Sequence, residues 1–177
     1  MTRRAPYDNL KGMNPFMTHT HTPKHLPKHL LIFGAGYVAH HVAEAALEAG
    51  WSVSISSRTP AEKQAAHITY FKFGDDLPAH VDAALSTVPP QDGQDPVLAA
   101  YQEQLSQITQ WLGYISSTGV YGDTHGTPVT EESPLLGTSR RAQARIAAEN
   151  AWLNLNKPVH IFRLSGIYGP ERNMLER

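Results

Sequence analysis

The chain of 177 residues contains no cysteine. Disulfide bonds, a thiolate nucleophile and a cysteine-ligated metal site are therefore excluded, and the composition is compatible with a reducing, cytoplasmic location. No apolar run approaches the roughly 20 residues that cross a bilayer, so we expect no membrane association. The formal net charge is only -1, which gives no electrostatic basis for nucleic acid as a partner. The expected partner is therefore a small molecule.

Length and composition indicate one globular domain. Hydrophobic residues make up 41% of the chain and charged residues 18%, as in proteins that bury a core. Residues 1–29 differ, because they combine four prolines and four histidines without an apolar segment. We expect them to form a disordered extension. The prolines between the histidines fix no coordination geometry, so we expect no metal site there. The domain is predicted to span residues 30–177.

Beyond residue 29, short apolar segments alternate with helical patterns. Strands and helices that alternate at this spacing predict a parallel sheet with helices on both faces, the doubly wound α/β architecture of Rossmann-type nucleotide-binding folds. Gly50 is a C-cap signal for the first helix, and Pro89 with Pro90 ends the fourth strand. The predicted strands are 30–33, 51–56, 67–73, 82–88, 113–117 and 159–163, and the predicted helices are 37–49, 96–110 and 139–155.

A glycine-containing turn joins the first strand to the first helix. Residues 34–39 read G-A-G-Y-V-A. Gly34 permits a sharp turn, Gly36 permits close approach of a phosphate, and Ala39 is small enough for tight packing of the helix on the strand. The helix that begins at Tyr37 and Val38 directs its first N–H groups at an anion. The turn predicts a dinucleotide diphosphate site; its alternative is an ordinary strand-to-helix turn.

Ser57 and Arg58 follow the second predicted strand, where a dinucleotide fold meets the adenosine ribose. A carboxylate there would favour NAD, because it accepts hydrogen bonds from both ribose hydroxyls. A serine and an arginine can bind a 2′-phosphate instead, so we predict NADP, with NAD as the alternative. Arg58 could also be a solvent-facing side chain at a strand end.

Two later segments carry paired motifs. Residues 116–122 read S-S-T-G-V-Y-G, and residues 163–170 read R-L-S-G-I-Y-G-P. Together with the glycine turn, they resemble the S-S-x-x-V-Y-G and R-L-x-x-x-Y-G-P motifs of extended short-chain dehydrogenase/reductases, the NAD-dependent epimerase/dehydratase family. The resemblance covers roughly residues 30–177. The family fold is a Rossmann-type domain followed by a substrate-binding portion.

The resemblance also implies site residues. It places Ser117 where the family orients the substrate hydroxyl or carbonyl, and it makes Thr87 and Pro89 cofactor contacts. The family's Tyr-x-x-x-Lys pair falls on Arg141 and Arg145. Arginine stays protonated at usable pH, so Arg141 cannot be the general base. Arg145 can keep the lysine's second task, binding ribose or phosphate, or it can lie on a solvated helix face.

Two functions stay open on this basis. The first is a NAD(P)-dependent oxidoreductase or epimerase/dehydratase-like protein acting on a small-molecule substrate. The second is a non-catalytic dinucleotide-binding module or inactive fragment, which the loss of the Tyr-x-x-x-Lys pair favours. Family members place their substrate-binding portion mainly beyond the point corresponding to residue 177, so we expect a chain truncated at its C-terminus. Many relatives pair through long helices, which makes a homodimer a further expectation.

Overall fold

The computed structural model describes residues 29–62, 65–108 and 110–173. Six parallel strands form one sheet in the order β3-β2-β1-β4-β5-β6. The chain thus moves outward from β1 to β3, returns to β4 on the other side of β1, and moves outward again. This order confirms the predicted doubly wound, Rossmann-type sheet. The strands are β1 His29–Phe33, β2 Ser52–Ser57, β3 Ile68–Lys72, β4 Ala83–Ser86, β5 Trp111–Ser117 and β6 Val159–Leu164.

In the described part of the chain, three α-helices cover the sheet, together with two short 3-10 helices. The α-helices are α1 Tyr37–Glu48, α2 Pro96–Gln107 and α3 Arg140–Leu153, and the 3-10 helices are Pro60–Glu62 and Thr118–Tyr121. Successive β1 side chains point to opposite faces of the sheet. Leu30 and Ile32 pack with α1 on one face, whereas Leu31 and Phe33 pack with α2 and α3 on the other. Both faces of β1 are therefore buried.

Capping residues set the helix ends. Gly50 adopts φ 83° after α1, as the C-cap signal predicts. Asp95 caps α2 by accepting hydrogen bonds from the N–H groups of Val97 and Leu98, both at 2.9 Å. Ser139 caps α3 by accepting from the N–H of Ala142 at 3.1 Å. The sequence therefore contains the local signals that fix where these helices begin or end.

Some predicted boundaries need correction. The helix predicted to reach residue 110 ends at Gln107, because Ile108 turns to extended backbone at ψ 120°. The fourth strand is shorter than predicted, and the fifth begins earlier, at Trp111. His29, assigned to the disordered extension, begins β1 and pairs with Ser52. The rest of that predicted extension, residues 1–28, lies outside the described residues.

Candidate functional site

The glycine turn follows β1 at the centre of the sheet. From β1 the chain adds β2 and β3 on one side and later adds β4 on the other, so the turn lies between the ends of β1 and β4. Phe33 pairs with Ser56 of β2 on one side and Ser86 of β4 on the other. Gly34 follows with φ 92°, and a Cβ there would lie 2.7 Å from Thr87 Oγ1. The Gly34 N–H donates to Ser56 Oγ at 3.1 Å. The surrounding structure therefore requires glycine at this position.

Gly36 is under no such internal constraint. It is the N-cap of α1, with φ -93° and no side-chain cap, and a Cβ built on it would meet nothing within 4 Å. Its conformation is open to any residue, so internal packing does not explain the glycine. The uncapped first turn of α1 presents N–H groups and the positive end of its dipole. A Cβ at Gly36 would project into open space at this turn, so the glycine leaves room for an anion such as a diphosphate at the start of the helix.

A cleft of about 290 Å³ opens beside this turn at the carboxyl ends of the strands. Its walls include residues from the first helix, from the loop after β4, from the end of β5 and from α3. The structure thus brings together six predicted site residues, Gly36, Tyr37, Val38, Thr87, Ser117 and Arg145. Gly34 belongs to the same turn but does not line the cleft. Pro89 lines a neighbouring groove instead.

Thr87 supports the turn rather than projecting freely into the cleft. Its hydroxyl donates to the carbonyl of Phe33 at 2.9 Å, and its N–H donates to the same oxygen at 2.9 Å. These two bonds hold the loop after β4 against the end of β1. If Thr87 contacts a cofactor as predicted, its hydroxyl can only accept a hydrogen bond, because its proton is already donated to Phe33.

Ser117 ends β5 and faces the cleft. Its hydroxyl oxygen accepts a hydrogen bond from the N–H of Gly119 at 3.2 Å, which caps the short 3-10 helix. The hydroxyl proton can still be donated to another oxygen. The capping interpretation and the substrate-orienting interpretation of Ser117 are thus compatible.

Ser57 and Arg58 lie at the end of β2, next to the glycine turn. Ser57 is buried, and its hydroxyl oxygen accepts from the N–H of Thr59 at 3.2 Å. Arg58 is exposed, and no carboxylate follows the strand before Pro60. This edge of the sheet therefore carries a cation where an NAD site would carry an acid.

Arg145 reaches from α3 to the end of β5. Its Nη1 donates to the hydroxyl of Tyr114 at 3.2 Å and to the carbonyl of Ile115, and its side chain lines the cleft. It therefore does not lie on a solvated helix face. Arg141, one helical turn earlier, is exposed and lines the neighbouring groove.

Two tyrosines lie near enough in sequence to replace the missing family tyrosine, and neither is suited to proton transfer. Burial raises the pKa of Tyr114 to about 12, although Arg145 opposes the shift. Tyr121 is buried, and its hydroxyl accepts from Arg163 Nη1 at 2.9 Å. Neither tyrosine lines the cleft, and the hydroxyl of each already accepts a hydrogen bond from an arginine.

A buried ion pair holds the wall of the cleft together. Glu149 of α3 is 1% exposed and accepts three hydrogen bonds from Arg163 of β6, at 2.9 and 3.1 Å to one carboxylate oxygen and at 3.2 Å to the other. The other carboxylate oxygen accepts from Ser116 at 2.5 Å. The bond with Glu149 is the main cause of the raised pKa of Arg163. The arginine of the R-L-x-x-x-Y-G-P motif thus joins β6 to α3 and, through Tyr121, to the turn after Ser117.

Tyr37 crosses the cleft, a contact that the sequence did not predict. Its hydroxyl donates to the carbonyl of Pro170 at 3.2 Å, and the Arg172 guanidinium lies 5.3 Å from its ring centroid. A Cβ on Gly169 would clash with the Tyr37 hydroxyl in this position, so the contact with Pro170 is compatible with the absence of a side chain at Gly169. Arg172 also lines the cleft beside Gly36. The Y-G-P motif was the available signal for this contact.

Among the described residues, no cluster of three or more histidines or carboxylates could hold a metal ion. None of the helices in this part of the chain combines the length and apolar character needed to cross a bilayer.

Together, the strand order and the helices on both faces of the sheet define a Rossmann-type α/β fold. No protein-family model and no curated protein matches the sequence. Solved structures do match. A conserved protein of unknown function from Silicibacter pomeroyi is 36% identical, with a TM-score of 0.77 over 84% of this chain and 56% of the other.

Other structural neighbours have named activities. TunA, a NAD-dependent NDP-hexosamine 5,6-dehydratase of tunicamycin biosynthesis, is 19% identical, with a TM-score of 0.66 over 80% of this chain and 56% of its own. UDP-glucuronic acid 4-epimerase from Bacillus cereus, solved with NAD, is 17% identical, with a TM-score of 0.61 over 80% of this chain and 57% of its own. The predicted resemblance to the NAD-dependent epimerase/dehydratase family is confirmed at the level of the fold. The chain spans little more than half the length of these proteins.

Proposed function

We propose that this protein binds a nicotinamide dinucleotide across the carboxyl end of its sheet. We further propose that it forms the nucleotide-binding part of an oxidoreductase or epimerase/dehydratase acting on a small molecule. The observation that carries this proposal is Gly36, a glycine that no internal contact requires, at an uncapped helix end beside a cleft. Dinucleotide binding in structural neighbours with the same fold supports it.

The diphosphate would lie against the first turn of α1, where the N–H groups of Tyr37 and Val38 are available as donors. Arg172 would add a positive charge from the opposite side, since it lines the same cleft. The adenosine ribose would then lie beside the end of β2. We propose NADP over NAD, because Arg58 can pair with a 2′-phosphate and no carboxylate is present to bind the two ribose hydroxyls.

The other half of the dinucleotide would extend along the cleft towards β5. The nicotinamide supplies hydride transfer when bound. Ser117 would donate its hydroxyl proton to a substrate oxygen, since the bond that it accepts from Gly119 leaves this proton unused. Arg145 would donate to the adjacent ribose from its position beside Ile115. Neither Arg141 nor Arg145 can exchange a proton at usable pH.

A non-catalytic dinucleotide-binding module is the second candidate. It is favoured by the arginines on α3 and by the two nearby tyrosines, which are both buried and bonded to arginines. Both candidates require the same nucleotide site. They differ in whether the bound nicotinamide exchanges hydride with a substrate.

Thermal unfolding of the full chain with NADPH and with NADH tests the proposal. A ligand that binds only the folded state stabilises it by about 2.7 kcal/mol at 100 times its Kd. We expect both nucleotides to raise Tm and NADPH to do so at lower concentration. The absence of any increase with either nucleotide at millimolar concentration would contradict the nucleotide site.

Arg58→Ala tests the choice between the two nucleotides. Loss of a charge-assisted pair with the 2′-phosphate should weaken NADPH binding by about tenfold or more, while NADH binding changes less than about twofold. Isothermal titration of each nucleotide measures both. Equal losses for the two nucleotides would show that Arg58 does not recognise the 2′-phosphate.

A further inference from the structure

A second groove, of about 920 Å³, adjoins the cleft on the outer side of Arg145. One wall is the first half of α3, and the other is the loop after β4. Three arginines line it, Arg140, Arg141 and Arg145. Because Arg145 also lines the cleft, the groove begins where the nicotinamide end of a dinucleotide would stop.

The positive charge of this groove is poorly balanced by the protein. Its one lining carboxylate belongs to Asp92, which lies 3.7 Å from Arg140 with both side chains more than 90% exposed. The other wall is formed by Pro89 and Pro90, which carry no charge. Arg141 has no ion pair in the described part of the chain.

Arg145 is half-buried, yet its direct hydrogen-bond partners are neutral oxygens, the Tyr114 hydroxyl and the Ile115 carbonyl. Asp95 is near enough to be influenced by its charge. However, the Asp95 oxygens already accept from the backbone of α2 and from Trp152. A partly desolvated guanidinium without a direct carboxylate partner favours an external anion.

Arg141 and Arg145 are four residues apart, so their side chains extend from one face of α3. Guanidinium groups bind carboxylate and phosphate oxygens in bidentate fashion. Both arginines are fixed cations, which makes them suited to holding an anion rather than moving a proton.

We propose that Arg141 and Arg145 clamp an anionic group of the substrate, a carboxylate or a phosphate, beside the cleft, with Arg145 donating to the cofactor ribose and to this anion through different N–H groups. This inference rests on the proposed function for the identity of the neighbouring cofactor. It does not need the cofactor for the anion to bind. The substrate class is thus a small molecule with a carboxylate or phosphate close to the carbon that reacts.

The test is a titration of the full chain with malonate and, separately, with inorganic phosphate, each at constant ionic strength. Malonate represents a carboxylate substrate and phosphate a phosphorylated one. We expect at least one of them to bind saturably at millimolar concentration. Arg141→Gln should weaken that binding by about tenfold or more, the effect of losing a charge-assisted bond.

Arg140→Gln is the matched control, because Arg140 lines the same groove on the same helix but is paired with Asp92. It should change binding less than about twofold. Arg141→Lys keeps the charge without the bidentate geometry, so its loss should be intermediate. No saturable binding of either anion, or equal losses from Arg140→Gln and Arg141→Gln, would overturn the proposal. Arg141 is exposed, so the folded state should survive its replacement.

Gly36→Val separates the two proposals, because it alters the glycine turn and not the groove. If NADPH does not bind but malonate or phosphate binding is lost in Arg141→Gln and retained in Gly36→Val, the cofactor proposal fails and the anion clamp stands. If anion binding is lost in Gly36→Val and retained in Arg141→Gln, the anion occupies the glycine turn and the clamp is overturned.

Discussion

Gly34 and Gly36 lie two residues apart in the same turn, but different constraints act on them. The first has a backbone conformation and a neighbour, Thr87, that exclude a side chain. Neither constraint acts on Gly36. The absence of a side chain there affects only the room that is left for a ligand approaching from outside the protein. Substitutions at the two positions should therefore affect different properties of the protein.

Gly36→Ser should keep or slightly raise stability, because serine is a good N-cap residue. Its added atoms and its hydrogen bond to the first turn of α1 should nevertheless weaken NADPH binding by about tenfold or more. Thermal unfolding and isothermal titration of the same samples separate the two effects.

Gly34→Ser is the matched control. A Cβ near Thr87 and the positive φ should lower the free energy of unfolding by about 1–3 kcal/mol. If Gly36→Ser destabilises the protein as much as Gly34→Ser does, Gly36 is a structural glycine and the argument for the diphosphate site is lost.

At the scale of elements, Asp95 links two helices. It caps α2 through two N–H groups, and its other oxygen accepts from Trp152 Nε1 of α3 at 3.1 Å. Burial raises the pKa of this carboxyl, and the bonds from Leu98, Trp152 and Val97 oppose that shift. The docking of α3, which carries Arg145, thus depends partly on the start of α2.

Asp95→Ala should lower the free energy of unfolding by about 1–3 kcal/mol, because it removes a helix cap and leaves the buried Trp152 N–H without this acceptor. Urea unfolding measures the change. Asp76→Ala, at an exposed position, should change it by less than about 0.5 kcal/mol. Similar losses for the two variants would mean that the cap contributes little.

At the scale of the whole molecule, protonation of His29 makes the stability of the folded protein depend on pH. It begins β1, and its ring nitrogens lie 3.0 Å from Ser54 Oγ and 3.2 Å from Ser52 Oγ. Burial lowers its pKa from 6.5, and His80 adds to this shift while Asp82 opposes it. The unfolded chain therefore takes up this proton at a higher pH than the folded protein does.

His29 contributes its full stabilisation above pH 6.5. This contribution is lost as pH falls towards the lower pKa that His29 has in the folded protein. His29→Gln should therefore reduce the fall in Tm between about pH 7.5 and pH 5.5, relative to the unsubstituted protein. His160→Gln, at an exposed position on β6, should leave that fall nearly unchanged. A Tm that falls equally in His29→Gln and the unsubstituted protein would assign the pH dependence to other groups.

The alternation of short apolar segments with helical patterns was enough to predict all six strands and the doubly wound sheet. Local capping residues such as Gly50 and Ser139 set helix ends that were predicted well. The end of α2 was not, because the polar residues after Leu105 carry no local stop signal. The sequence also led to six residues of the cleft, since short motifs at strand ends converge at one edge of a parallel sheet.

Long-range pairs were beyond sequence reasoning. Glu149 and Arg163 form a buried ion pair across α3 and β6, and no periodicity links a helix residue to a strand residue that follows it. The second groove was missed for a similar reason. Arg141 and Pro89 face each other only because the loop after β4 folds over the start of α3.

The contact between Tyr37 and Pro170 also determines when the cleft can be completed during synthesis. The two residues are 133 positions apart, so the glycine turn emerges from the ribosome long before its crossing partner. A nascent chain would lack the Arg172 side of the cleft until almost all of the described residues had been made. Tight capture of a nucleotide would then mark a late stage in the folding of this protein.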